Sequence, residues 1–174
     1  MKRKQLRNLR KRRYDGIQRE IQVGKEIWMV KKDSYMSDLV VPSRTDRLKE
    51  VRDFVSRAAQ HFGFDEDDVN KIVLAVDEAC TNIIKHAYDY GKNHTIKLSI
   101  LTKNTVFEIT ITDQGRPFDP SSVPQPNMKE YLTHFKRGGL GMYLMKTVMD
   151  KVEYDFKPGP VNRVRLTKYL QRQT

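Results

Sequence analysis

Asp77-Glu78-Ala79-Cys80-Thr81-Asn82-Ile83-Ile84-Lys85-His86-Ala87-Tyr88 places a carboxylate and a carboxamide four residues apart. At 100° per residue, Glu78 and Asn82 stack one turn apart, nearly opposite the apolar stripe of the same helix. Such a pair can serve a hydrated cation and its phosphates. The amide oxygen would ligand Mg²⁺, and the carboxylate would act as a base or position a water. Two polar residues on a solvent-facing helix have the same spacing, so this cluster alone leaves both readings open.

A second cluster is Asp113-Gln-Gly115-Arg-Pro117-Phe118-Asp119. It follows a segment in which Phe107, Ile109 and Ile111 alternate with polar residues, so Asp113 shares the apolar face. A carboxylate entering a covered region needs a donor, and an exocyclic amino group such as that of adenine is a suitable one. Gly115 lets another group approach the backbone closely. An Asx-turn closing the strand accounts for the same residues equally well.

The third cluster is Arg137-Gly138-Gly139-Leu140-Gly141-Met142, leading into a helix. Glycine-rich backbone at a helix N-terminus offers amide hydrogens and a positive dipole end to phosphate. The run lacks the third glycine of the dinucleotide fingerprint, and Met145 stands where a Walker loop needs glycine before its lysine. His61, His86, His94 and His134 have no metal-site spacing. Cys80 lies on the apolar stripe, where a core thiol is expected.

The elements that must carry these clusters are legible from periodicity. Val40-Val41-Pro42 ends an extended piece, and Ser43 stands where a helix N-cap belongs. Leu48, Val51, Phe54, Val55 and Ala58 follow at helical spacing until Gly63. Asp65 can cap a second helix whose stripe is Val69, Ile72, Val73, Val76, Cys80, Ile83 and Ala87. Ile96–Ile100 and Phe107–Ile111 alternate as strands around a turn at Lys103-Asn104. Residues 114–139 hold four prolines and no sustained pattern, as lids and binding loops do. A helix over Leu140–Val148 and strands over Val152–Phe156 and Val161–Leu166 close the chain. This order predicts an α+β fold: a two-layer sandwich with a mixed, mostly antiparallel sheet and helices on one face.

Composition sets the outer bounds. Of 174 residues, 38% are hydrophobic and 32% charged, the balance of a globular domain with a real core. No apolar run approaches the ~20 residues of a membrane-spanning helix, and no apolar segment follows the charged start as a secretory signal requires. A single cysteine excludes a disulfide framework, and the expected location is the cytoplasm. The net charge of +11 is concentrated: residues 1–32 hold twelve Lys or Arg against three acids. Residues 1–35 are therefore expected to form a basic, partly disordered arm, with the folded domain spanning 36–174. A nucleic-acid contact through the arm would show as salt-sensitive binding.

Taken in order, the three clusters resemble the ATPase fold shared by gyrase, MutL and sensor histidine kinases. In detail, D-E-A-C-T-N-x-x-x-H-A-Y, D-x-G-x-P-F-D and G-G-L-G-M-Y-L-M-K-T-x-M-D-x-V resemble the bacterial anti-sigma-factor serine protein kinases, over about residues 37–170. The resemblance implies ATP or ADP and Mg²⁺ as ligands. It implies that Asn82 ligands Mg²⁺, that Glu78 is the general base, and that Arg137 reaches the terminal phosphate. It further implies that Asp113 and Gly115 bind adenine, that Gly138, Gly139, Leu140 and Gly141 cradle phosphates, and that Thr167 touches adenine through water. Residues 119–138 would be an ATP lid. The implied partners are a sigma factor, a serine-bearing anti-sigma antagonist and a second copy of the chain. A non-catalytic, nucleotide-gated module controlling a phosphatase or another signalling partner is the other function such a fold could have.

Overall fold

The computed structural model describes residues 19–23, 26–31, 34–91, 93–117, 140–155 and 161–171. Seven strands form one sheet: β1 (Arg19–Val23), β2 (Glu26–Lys31), β3 (Ser34–Pro42), β4 (Thr95–Lys103), β5 (Val106–Asp113), β6 (Lys151–Asp155) and β7 (Asn162–Tyr169). Their order is β1-β2-β3-β4-β5-β7-β6, and every pairing among the described residues is antiparallel. The helices are α1 (Leu48–Phe62), α2 (Glu66–Asn82) and α3 (Leu140–Val148). Strand pairing begins at Arg19, so the sheet reaches into the stretch read as a basic arm.

Alternation decides which face the helices cover. Leu98 lies opposite Ile111, and Ile111 lies opposite Val164; one step along, Ile100, Ile109 and Leu166 form the next row. All six are buried, facing Val51, Phe54, Val55, Ile72 and Val76 of α1 and α2. Burying each such aliphatic side chain contributes about 1.5–3 kcal/mol before chain entropy is subtracted. The intervening residues form the sheet's other face, where Lys97 meets Asp38 at 2.9 Å and Arg165 meets Glu108 at 3.4 Å.

Local signals account for the element ends. Gly63 adopts φ +110 and stops α1, its amide donating to Ala59 and Gln60 carbonyls. The Asp65 side chain accepts from the Asp68 amide at 2.8 Å and caps α2, whose first turn is acidic as its dipole prefers. Asn104 takes φ +55 in the β4–β5 hairpin.

Ser43 does not cap α1. A 3₁₀ turn over Thr45–Arg47 intervenes, and the Ser43 hydroxyl instead donates to the Gly91 carbonyl at 2.7 Å. Its amide donates to the His94 carbonyl at 2.9 Å, so Ser43 fastens β3 to the segment after α2.

Candidate functional site

Helix α2 supplies the first half of the site. Its stripe of Val69, Ile72, Val76 and Cys80 is buried, which leaves Glu78 and Asn82 half-buried away from the sheet. Asp77 turns the other way and pairs with Arg52 of α1 at 2.7 Å, tying the two helices. Helix α3 begins directly opposite Glu78. A methyl group added to Gly141 would strike the Glu78 carboxylate oxygen Oε2 and lie 3.4 Å from the Asn82 amide nitrogen. The absence of a side chain at 141 therefore keeps the space before both functional groups open.

Beyond Asn82 the helix widens. Residues Ile83–Ala87 form a π turn, with the Tyr88 amide donating to the Ile83 carbonyl at 3.1 Å. Such one-turn insertions recur at functional sites. Here the insertion delivers Ala87 to the loop that follows β5. The Arg116 amide donates to the Ala87 carbonyl at 2.9 Å, and Gly115 packs so closely that an added Cβ would sit 2.6 Å from the Ala87 oxygen. The bare Cα of Gly115 thus admits the end of the helix. Tyr88 adds a second clamp: its hydroxyl accepts from the Gln114 amide at 2.8 Å and donates to the Thr95 carbonyl at 3.1 Å. Burial raises its ionisation above the ordinary tyrosine range, with the Gln114 amide partly offsetting the shift.

Asp113 is 4% exposed at the end of β5. Its Oδ1 accepts from the Gly115 amide at 2.7 Å and from Asn162 Nδ2 at 2.9 Å. The first is an Asx-turn; the second crosses to β7. Both donors use the same oxygen, which leaves Oδ2 without a donor among the described residues. Asp113 lines a cavity together with Asn162, Asn82, His86 and Arg116. Ile83, Met142, Met145 and Val164 add apolar surface to its lining. Apolar lining beside a carboxylate acceptor is the chemistry that a heterocycle with an amino edge would need.

Asn162 is the residue sequence reasoning missed. It stands two positions before Val164 on the covered face of β7 and pairs with Asp113 in register. Strand parity carried back from Val164 and Leu166 would have found it. Thr167 is a correction. Its register partners are Glu108 and Lys151, so it points to the sheet face away from Asp113 and does not line the cavity. Glu78, Asn82, Asp113, Gly115, Leu140 and Gly141 all gather around α2. Arg137, Gly138, Gly139 and the lid over 119–138 lie outside the described residues.

Among the described residues no group of three or more His, Cys, Asp or Glu could hold a metal ion. That excludes a cage built by these side chains. Cys80 is fully buried, and burial pushes its thiol far above the ordinary range; it is a core residue.

This fold and site define a nucleotide-binding ATPase domain, and residues 41–168 match the family described as the histidine kinase-like ATPase domain. The chain belongs to that family. It is 38% identical to serine-protein kinase RsbW of Halalkalibacterium halodurans over 139 residues, covering 78% of this chain and 83% of that protein. It is 31% identical to serine-protein kinase RsbW of Bacillus subtilis over 138 residues, covering 76% and 84%. Within the larger family it therefore falls among the RsbW-type serine-protein kinases. A crystal structure of the RsbU and RsbW domains of a Mycobacterium tuberculosis protein shares the fold, with TM-score 0.50 and 15% identity. That match covers 78% of this chain and a third of the other, 33%. No helix among the described residues is long and apolar enough to cross a membrane.

Proposed function

We propose that this chain is an ATP-dependent serine protein kinase acting as an anti-sigma factor. It holds a sigma factor and phosphorylates a serine of the antagonist that would release it. The observation that carries the kinase reading is the convergence of Asp113 from β5 with Asn82 and Glu78 from α2. Asp113 marks the amino-accepting end of the cavity, Asn82 lines its wall, and Glu78 stands one turn further, facing Gly141. A nucleotide with its base against Asp113 has its phosphates directed toward Asn82 and Glu78.

The residues divide the work. Asp113, oriented by Asn162 and the Gly115 amide, selects the amino edge of adenine. Asn82 and the triphosphate hold Mg²⁺, which when bound neutralises the charge gathering on the transferred phosphoryl group. Glu78 accepts the proton of the incoming serine hydroxyl as its oxygen attacks the terminal phosphorus. The bond from that phosphorus to the ADP oxygen breaks, leaving phosphoserine and ADP. The amide hydrogens of Gly138, Gly139, Leu140 and Gly141 cradle the phosphates. Arg137 stabilises the negative charge of the transition state. Residues 119–138 act as the lid over the nucleotide, and the active form is a homodimer.

A pure binding module needs no base in this position, and Glu78 favours the enzyme. The test is incubation of the purified chain with ATP, Mg²⁺ and candidate antagonists, followed by mass spectrometry for phosphoserine. Transfer that stops with chelator and with Glu78→Gln supports the kinase. Nucleotide binding without transfer to any antagonist would leave the gated module as the better description.

A further inference from the structure

Arg116 lines the cavity beside Asp113, yet neither the phosphate-handling residues nor the general base requires a cation there. Its backbone is fixed by its amide bond to the Ala87 carbonyl, and its guanidinium Nη2 lies 3.3 Å from Asp89 Oδ2. Asp89 and Tyr90 are consecutive non-glycine residues in the left-handed region, at φ 49 and φ 59. Such backbone is costly and persists only where its surroundings enforce it. It presents the Asp89 carboxylate to the Arg116 head while leaving both side chains largely open to solvent, at 72% and 75% exposure.

The position along α2 fixes what Arg116 can meet. Ala87, to which it is fastened, lies five residues past Asn82, about 7 Å along the helix. Arg116 therefore stands at the Asp113 end of the slot, away from Glu78 and the α3 N-terminus. The cavity that Arg116 lines is otherwise largely apolar, with Ile83, Met145 and Val164 among its walls, which suits a ring and not a phosphate. A guanidinium is flat, weakly hydrated and stacks on ring faces, whereas an ammonium does so less well.

We infer that Arg116, steered by Asp89, closes over the outer face of the purine and is a binding residue for the base rather than for the phosphates. This rests on the nucleotide occupying the cavity as proposed above. With the full chain, adenosine, ADP and ATP are titrated by calorimetry against the parent protein, Arg116→Ala and Arg116→Lys. The expected result is that Arg116→Ala weakens all three ligands alike, by about 3- to 10-fold. Arg116→Lys, which keeps the charge beside Asp89, should recover less than half of that loss on a logarithmic scale. Unchanged affinity for all three in Arg116→Ala overturns the assignment. So does a loss confined to ADP and ATP, which would make Arg116 a phosphate contact, and so does full recovery by lysine. A parent protein that binds none of the three removes the nucleotide reading itself, and the assignment with it.

Discussion

Gly141 and Glu78 face each other across the α2–α3 interface so closely that a single methyl group on one would collide with the carboxylate of the other. This links a glycine of the proposed phosphate-binding run to the proposed base on a helix more than sixty residues earlier. The glycine thus has a second reason for its identity besides leaving amide hydrogens accessible. It leaves room for the Glu78 carboxylate to lie where it does.

Gly141→Ala should therefore act on catalysis through Glu78. We expect phosphotransfer to fall by about 100-fold or more, as when a general base is displaced, with the melting temperature little changed because Glu78 is half-buried and can swing aside. Single-turnover kinetics beside thermal melting checks this. A variant with parental turnover would show that the collision is relieved at no cost to the base.

Glu78→Gln keeps the shape and removes the proton acceptor. ADP affinity by calorimetry should stay within about twofold, and phosphotransfer should fall by about 100- to 10,000-fold. Equal rates in the variant and the parent would assign the base elsewhere.

Asp113→Asn can keep the Gly115 and Asn162 bonds on its amide oxygen, but puts an NH2 where Oδ2 stood, so that a donor faces the amino edge. ADP affinity should fall by about 10-fold or more. Asn162→Ala leaves the carboxylate but frees it to rotate, and should cost about 3- to 10-fold in affinity while kcat holds. A variant of either kind with parental ADP affinity would contradict the base-binding role of this pair.

Tyr88→Phe removes the hydroxyl that accepts from Gln114 and donates to Thr95. Losing both bonds in a partly buried place should cost about 1–3 kcal/mol of stability and loosen the loop bearing Gly115. Urea denaturation gives the first quantity, and amide exchange at Gln114 gives the second. Unchanged protection at Gln114 would mean that the Ala87–Arg116 bond alone holds the loop.

Cys80 offers a pH test with a definite sign. Its folded-state thiol ionises well above the ordinary range because it is buried, with Asp77 adding to the shift. As pH rises past the ordinary thiol value, the unfolded chain loses its proton first, so folding stability falls by up to about 1.4 kcal/mol per pH unit from this group. Cys80→Ala should show a shallower decline above about pH 8.5, measured as the difference between two urea titration series. A thiol reagent should label the parent only on unfolding; prompt labelling of the native protein would contradict the burial.

Local periodicity in the sequence set most elements from Leu48 onward, but not β1 and β2, which lie in the stretch read as a basic arm. Alternation at Phe107, Ile109 and Ile111 placed Asp113 on the covered face, and helical spacing stacked Glu78 with Asn82, because both periodicities are local properties of the backbone. Ser43 escaped that logic: its partner Gly91 is forty-eight residues away, and no local rule pairs them. Thr167 was open to the same logic: alternation with the buried Leu166 already puts it on the other face of β7. The tertiary structure alone decided that Asn162 orients Asp113, that a π turn brings Ala87 against Gly115, and that Gly141 opens onto Glu78. Each of these needs two segments to meet in a particular register. That is fixed by how the whole core packs, not by the pattern of any one stretch.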